Sequence, residues 1–124
     1  MIIDGKQQAY KIKDRIFHCG TNVTLNFIGG KWKCVILWYL RNGSLRFSEI
    51  KRLIPDITEK MLSLQLKSLA QDQLIVRKAF GEKPPLRVQY ALTDFGTSLI
   101  PVIEKITKWG ITLAEAHGEI IKIE

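Results

Sequence analysis

Residues 47–92, FSEIKRLIPDITEKMLSLQLKSLAQDQLIVRKAFGEKPPLRVQYAL, decide the fold of this chain. The opening predicts a helix over Phe47–Leu53, with Phe47, Ile50 and Ile54 inward and Glu49, Lys51 and Arg52 outward; Pro55 cannot continue it. Ile54-Pro55-Asp56-Ile57 is then a tight connector. Thr58 caps a further helix that runs to about residue 72, and Glu59 near its start offsets the helix dipole. Its core stripe is Leu62, Leu66 and Leu69, at i, i+4 and i+7. Two helices joined by four residues match a helix-turn-helix. Residues 74–80 and 86–92 follow as β-strands around Gly81-Glu82-Lys83-Pro84-Pro85, where neither proline is asked to donate to a ladder. A β-hairpin placed after a helix-turn-helix is a wing, and a short strand at Leu45-Arg46 would add a third to its sheet.

Upstream, residues 31–41 carry Trp32, Val35, Ile36, Tyr39 and Leu40 at helical spacing, stopped by Asn42-Gly43. Residues 21–27 predict a short helix with Thr21 as N-cap and Val23 and Phe27 on one face; Gly29-Gly30 ends it and lets two elements approach closely. Residues 1–16 are mixed and read as an arm or a short helix. Downstream, Thr93 caps a helix over residues 94–109, with Leu99, Val102, Ile103, Ile106 and Trp109 on one broad face and Gly110 at its end. The tail from Thr112 starts helical and is interrupted at Gly118. So wide an apolar face has little left to cover in so small a domain. It predicts either a dimer interface or closure of the core.

The fold class expected is mainly α with a small antiparallel β-sheet, a winged helix-turn-helix with added terminal dimerisation helices. Three segments follow: an N-terminal arm or dimerisation element (1–18), the DNA-binding core (19–92), and a C-terminal dimerisation helix and tail (93–124). A chain of 124 residues suits one domain, and 46% hydrophobic with 25% charged residues is a globular composition. The net charge of +7 is uneven, with 16 basic against 7 acidic side chains up to residue 92 and 3 against 5 after it. Such a field suits a polyanion.

Groove reading needs short polar side chains at the front of a helix and basic ones at its rim. The helix after Thr58 supplies both: Ser63 and Lys67 to reach base edges, Gln71 at the groove margin, and Lys60 to neutralise a phosphate. Leu64 either widens the core or meets a thymine methyl, with partial burial favoured. Gln65 either bonds an adenine or a phosphate or is solvated. Arg77, Lys78, Lys83 and Arg87 place charge on the wing for the backbone or minor groove, and Arg46 and Lys51 are phosphate anchors, helped by amides at the start of their helix.

Ile28-Gly29-Gly30-Lys31-Trp32, Leu45-Arg46-Phe47-Ser48-Glu49-Ile50, Ile57-Thr58-Glu59-Lys60-Met61-Leu62, Pro84-Pro85-Leu86-Arg87-Val88-Gln89-Tyr90 and Leu92-Thr93-Asp94-Phe95-Gly96 together resemble the HxlR family of winged helix-turn-helix transcription regulators, from Cys19 to Gly110. The resemblance implies a homodimeric regulator of operator DNA, paired through its terminal helices, here Phe27, Leu99, Ile103, Ile106 and Trp109. It places Ser63, Leu64 and Gln65 on the recognition helix and Arg87 in the wing. The family often has Gln and Arg where Leu64 and Gln65 stand. It also implies a redox or aldehyde sensor at Cys19, where the family's Cys-Pro is Cys19-Gly20. Such a thiol needs a lowered pKa and exposure. Cys34 reads as core.

Two cysteines this far apart make neither a disulfide framework nor a CxxC motif, and the two histidines, His18 and His117, lack metal-ligand spacing. No catalytic residue, metal or cofactor is expected. No run of 18 apolar residues and no secretory pattern at the start predict a cytoplasmic protein away from membranes, so both Asn-X-Ser/Thr sequons are chance matches. The expected partners are double-stranded DNA with an inverted-repeat operator and a second copy, with the effector unknown and no membrane. The competing reading is a winged-helix module that binds protein or a small molecule without operator recognition.

Overall fold

The computed structural model describes residues 1–123. In chain order the elements are β1 (Ile2–Ile3), β2 (Lys6–Gln7), β3 (Tyr10–Ile12), β4 (Arg15–Phe17), α1 (Gly20–Ile28), α2 (Lys33–Leu40), α3 (Phe47–Leu53), α4 (Glu59–Gln71), β5 (Ile75–Phe80), β6 (Arg87–Leu92), α5 (Asp94–Thr97) and α6 (Ile100–His117). The core gathers Ile36, Leu37 and Leu40 of α2, Ile50 of α3, Ile57 of the connector, Leu62, Leu66 and Leu69 of α4, Leu74 and Ile75 entering β5, and Ile103 of α6. It is a helix-turn-helix with an antiparallel wing, β5 on β6 in the register Ile75↔Leu92 through Phe80↔Arg87.

Local chemistry fixes the boundaries of the central segment. Thr58 accepts a hydrogen bond on Oγ1 from the Met61 amide at 3.0 Å, and the α4 leucine stripe is wholly buried. Ahead of α3, the Arg46 N–H donates to Glu49 Oε1 at 2.9 Å. The expected third strand shrinks to one bridge, in which the Leu45 and Tyr90 amides each donate to the other's carbonyl at 3.0 and 2.8 Å. That bridge ties the α2–α3 linker to the base of the wing.

Four expectations change. Residues 1–16 form neither a loose arm nor a helix: β1 pairs with β2 and β3 with β4, in two small antiparallel hairpins. Asp4 and Gly5 take φ of 52° and 75° between the first pair of strands, the left-handed geometry that closes a two-residue turn. Helix α1 begins at Gly20 with Cys19, not Thr21, at the N-cap and no side-chain cap. Gly29 follows it as expected, but a Cβ there would lie 2.4 Å from the Leu25 carbonyl oxygen, so the close approach is to its own helix and not to a second element.

The long helix predicted over residues 94–109 is two. Thr93 does cap the first, accepting from the Gly96 amide at 3.0 Å, yet α5 ends at Thr97 and α6 restarts with Pro101 in its first turn, where a missing N–H costs nothing. The second helix then runs through Gly110 to Gly118. Gly96 earns its place by contact: a Cβ would sit 2.0 Å from the Leu74 carbonyl oxygen, so α5 lies directly on the α4–β5 junction.

Candidate nucleic-acid interface

Helix α4 divides cleanly. Its leucine stripe faces the core, while Lys60, Ser63, Lys67 and Gln71 are all exposed on the opposite side. Ser63, Lys67 and Gln71 come together with Arg77 of β5 and Tyr90 of β6 around one groove of about 450 Å³ between helix and wing. Cross-strand register explains Arg77: it is paired with Tyr90, and directly opposed residues share a sheet face, so both turn toward α4. The same rule puts Lys78, Gln89, Phe80 and Arg87 on the other face. Arg87 is exposed at the start of β6 and Lys83 is exposed in the turn, neither lining the groove. Among the described residues Lys60, Lys67, Arg77, Lys83 and Arg87 make no ion pair, so their charge is not neutralised within the protein.

Four assignments at this surface need correction. Leu64 is 52% exposed, so it neither widens the core nor is partly buried; it stands beside Ser63 as an apolar side chain on the outer face. Lys51 is half-buried, not outward, and its Nζ donates to the Pro55 carbonyl at 3.1 Å, which leaves it a brace for the connector more than a free anchor. At the start of α3 the Glu49 carboxylate already takes the Arg46 amide, which places a negative charge beside the amides expected to assist a phosphate. Arg46 itself is exposed. Gln65 is half-buried, with its Nε2 against Met61 Sδ at 3.3 Å, and does not join the groove.

The proposed pairing surface is mixed. Ile103 is 1% exposed and belongs to the core of the chain itself, so it is removed from the interface expected of it. Leu99 and Phe27 are half-buried, Phe27 meeting Phe95 edge to face at 5.9 Å. Ile106 and Trp109 remain, 48% and 69% exposed, with Val102, Ile111 and Leu113 also open along α6.

Cys19 is 7% exposed, and its Sγ donates to Asn22 Oδ1 at 3.5 Å; the exposure that sensing requires is absent in this conformation. Cys34 is half-buried and bonded to the Ile28 carbonyl at 3.5 Å, and burial pushes its thiol pKa up, away from reactivity. Among the described residues no cluster of His, Cys, Asp or Glu could hold a metal ion, and no helix is long and apolar enough to cross a membrane.

Relatives and solved structures agree on what this architecture is. The chain is 45% identical over 106 residues to the HTH-type transcriptional regulator YkvN of Bacillus subtilis strain 168, covering 83% of this chain and 89% of YkvN. It is similarly 45% identical to YtcD of the same strain over 108 residues, 86% and 85% of the two chains, and the YtcD crystal structure superposes with a TM-score of 0.72 over 78% of this chain and 98% of that one. The redox regulator HypR in its reduced form gives a TM-score of 0.75 at 36% identity, covering 79% of this chain and 96% of HypR. Reduced YodB of B. subtilis, also a transcriptional regulator, gives 0.67 at 33% identity over 79% and 96%. With the HxlR-like helix-turn-helix model matching residues 27–118, the chain belongs to the HxlR-like family of winged helix-turn-helix transcriptional regulators, which is not a class of enzymes.

Proposed function

We propose that this regulator binds double-stranded DNA sequence-specifically as a homodimer, α4 in the major groove and the β5–β6 wing on the backbone or minor groove. The observation that carries the reading is the groove in which Ser63, Lys67 and Gln71 meet Arg77, because reader and wing there offer one continuous polar and cationic surface to one duplex. Arg46, Lys60, Lys83 and Arg87 extend it as phosphate contacts, and Leu64 stands where it can meet a thymine methyl. Residues 93–124 act as the pairing element through Ile106 and Trp109, with Phe27 and Leu99 at its margin. Two reading helices related by a two-fold axis favour an inverted repeat with half-sites about 34–36 Å apart. A salt-titrated mobility shift on genomic fragments, followed by footprinting, tests this. For 6–10 phosphate contacts affinity falls about 10³–10⁵-fold between 50 and 200 mM salt; salt-insensitive or absent binding favours a winged-helix module that has no operator.

Redox control through Cys19 is part of the same proposal, supported by the likeness to HypR, a redox regulator, and by the thiol's place at the N-cap of α1. Burial means that the β4–α1 junction has to open before an oxidant arrives. Operator affinity that responds to hydrogen peroxide in the parent protein but not in Cys19→Ser supports it. Equal behaviour of the two removes it.

A further inference from the structure

A second cavity, about 260 Å³ in volume, is lined by residues of the β3–β4 hairpin and shares Gln71 with the reading groove. Three phenylalanines form its apolar wall: Phe17 of β4, Phe27 of α1 and Phe95 of α5, the last two already edge to face. Lys13 and Arg15, both exposed on the hairpin, bring two positive charges, and the Arg15 guanidinium is held 5.2 Å from the centre of the Phe17 ring. Asp72 at the C-cap of α4 supplies one carboxylate from a different element. No ion pair joins it to either cation, so both kinds of charge stay available to a guest.

We infer that this cavity binds a small aromatic acid bearing a ring hydroxyl, and that its occupancy is passed to the reading helix. The ring replaces water against the three phenylalanines, the acid's carboxylate meets Lys13 and Arg15, and the hydroxyl donates to Asp72. Size agrees: a cavity of roughly 150 Å³ holds a benzene, so about 260 Å³ accommodates one ring with two substituents. Net positive charge at the site selects an anion over a cation.

Coupling follows from what the wall is made of. Gln71, Asp72 and Gln73 all line the cavity, and Gln73 turns α4 into β5 through a left-handed backbone, φ 62°, which costs a non-glycine residue free energy that its surroundings must supply. The surroundings include Thr93, whose Oγ1 donates to the Gln73 carbonyl at 2.6 Å, and Gly96 packed on Leu74. Gln71 lines the reading groove as well. A guest that touches this turn in one arrangement of reader and wing, and less well in another, changes DNA affinity by the difference. This second half rests on the DNA-binding reading; the first half does not.

Isothermal titration calorimetry of the full chain with 4-hydroxybenzoate, benzoate and cyclohexanecarboxylate tests the site without DNA. The expected result is saturable binding of 4-hydroxybenzoate with Kd of about 0.1–1 mM, weaker for the other two, and at least about tenfold weaker for 4-hydroxybenzoate in Lys13→Ala/Arg15→Ala, whose exposed positions leave the fold intact by circular dichroism. No saturable heat, or heat unchanged by the double substitution, overturns the site. A mobility shift with and without the acid then reads the coupling. An operator affinity that moves at least threefold in the parent and not in the double variant supports it, and binding of the acid without such a shift overturns it. Loss of DNA affinity by the double variant with no acid present would instead make the two cations backbone contacts and also overturn the assignment.

Discussion

Helices α4 and α6 are both amphipathic, and they end up in opposite situations. Leu62, Leu66 and Leu69 of α4 are consumed by the core, and what remains outside is polar and cationic apart from Leu64. In α6 one residue, Ile103, is fully buried, and Val102, Ile106, Trp109, Ile111 and Leu113 stay outside beside the exposed charges of Glu104, Lys105 and Lys108. An exposed face that is charged asks for a charged partner, and one that is apolar asks for burial. The contrast supports the proposed division, DNA for one and a second copy for the other: the inner face of a helix reports on folding, while the outer face is where partners are sought.

The comparison breaks most visibly on the inner face of α4. Leu66→Ala should cost about 2–5 kcal/mol in urea unfolding, because a fully buried leucine leaves a cavity among Leu62, Leu69 and the α2 residues; a loss below about 1 kcal/mol would mean that the stripe is not closely packed. Next in size is the outer face of α6. Ile106→Asp/Trp109→Asp should weaken self-association at least about thirtyfold by sedimentation, leaving a protomer with unchanged circular dichroism. A variant that stays dimeric moves the interface elsewhere.

On the outer face of α4, Lys67→Ala should remove about 1–3 kcal/mol of discrimination at one operator position, whereas Arg87→Ala, off the groove, weakens all sequences alike and lowers the salt slope by about 1. Equal loss on every sequence for both would dismiss α4 as the reader. Smallest is Leu64→Ala, within about 0.5 kcal/mol in stability since the side chain is exposed, with a reduced preference for thymine at one position in competition binding.

The helix-turn-helix and wing were legible because each boundary had its own chemical mark: Thr58 as a cap, Pro55 as a stop, the two prolines in the hairpin turn. Element limits predicted there and those observed agree to within a residue or two. The N-terminal hairpins were missed although Asp4-Gly5 is a strong short-range turn signal, because strands of two and three residues carry too little alternation to stand out. The break before α6 was signalled by Pro101 and overridden by the continuous apolar spacing around it. Gly110 failed as a stop because one glycine inside a helix costs only about 1 kcal/mol. At the candidate interface, Ser63, Lys67, Gln71 and Arg77 were readable from spacing and charge. The burial of Ile103, the tether on Lys51 and the exposure of Leu64 were not, since each depends on which neighbour a helix leans against.

The single Leu45–Tyr90 bridge has a mechanical meaning for whatever duplex docks here. Tyr90 both lines the groove and is hydrogen-bonded to the α2–α3 linker, which restrains the wing at its root. On the proposed DNA-binding reading, a duplex whose groove spacing does not match this restrained jaw bends or changes its twist, and base steps that no side chain touches acquire a vote in which sequence is held.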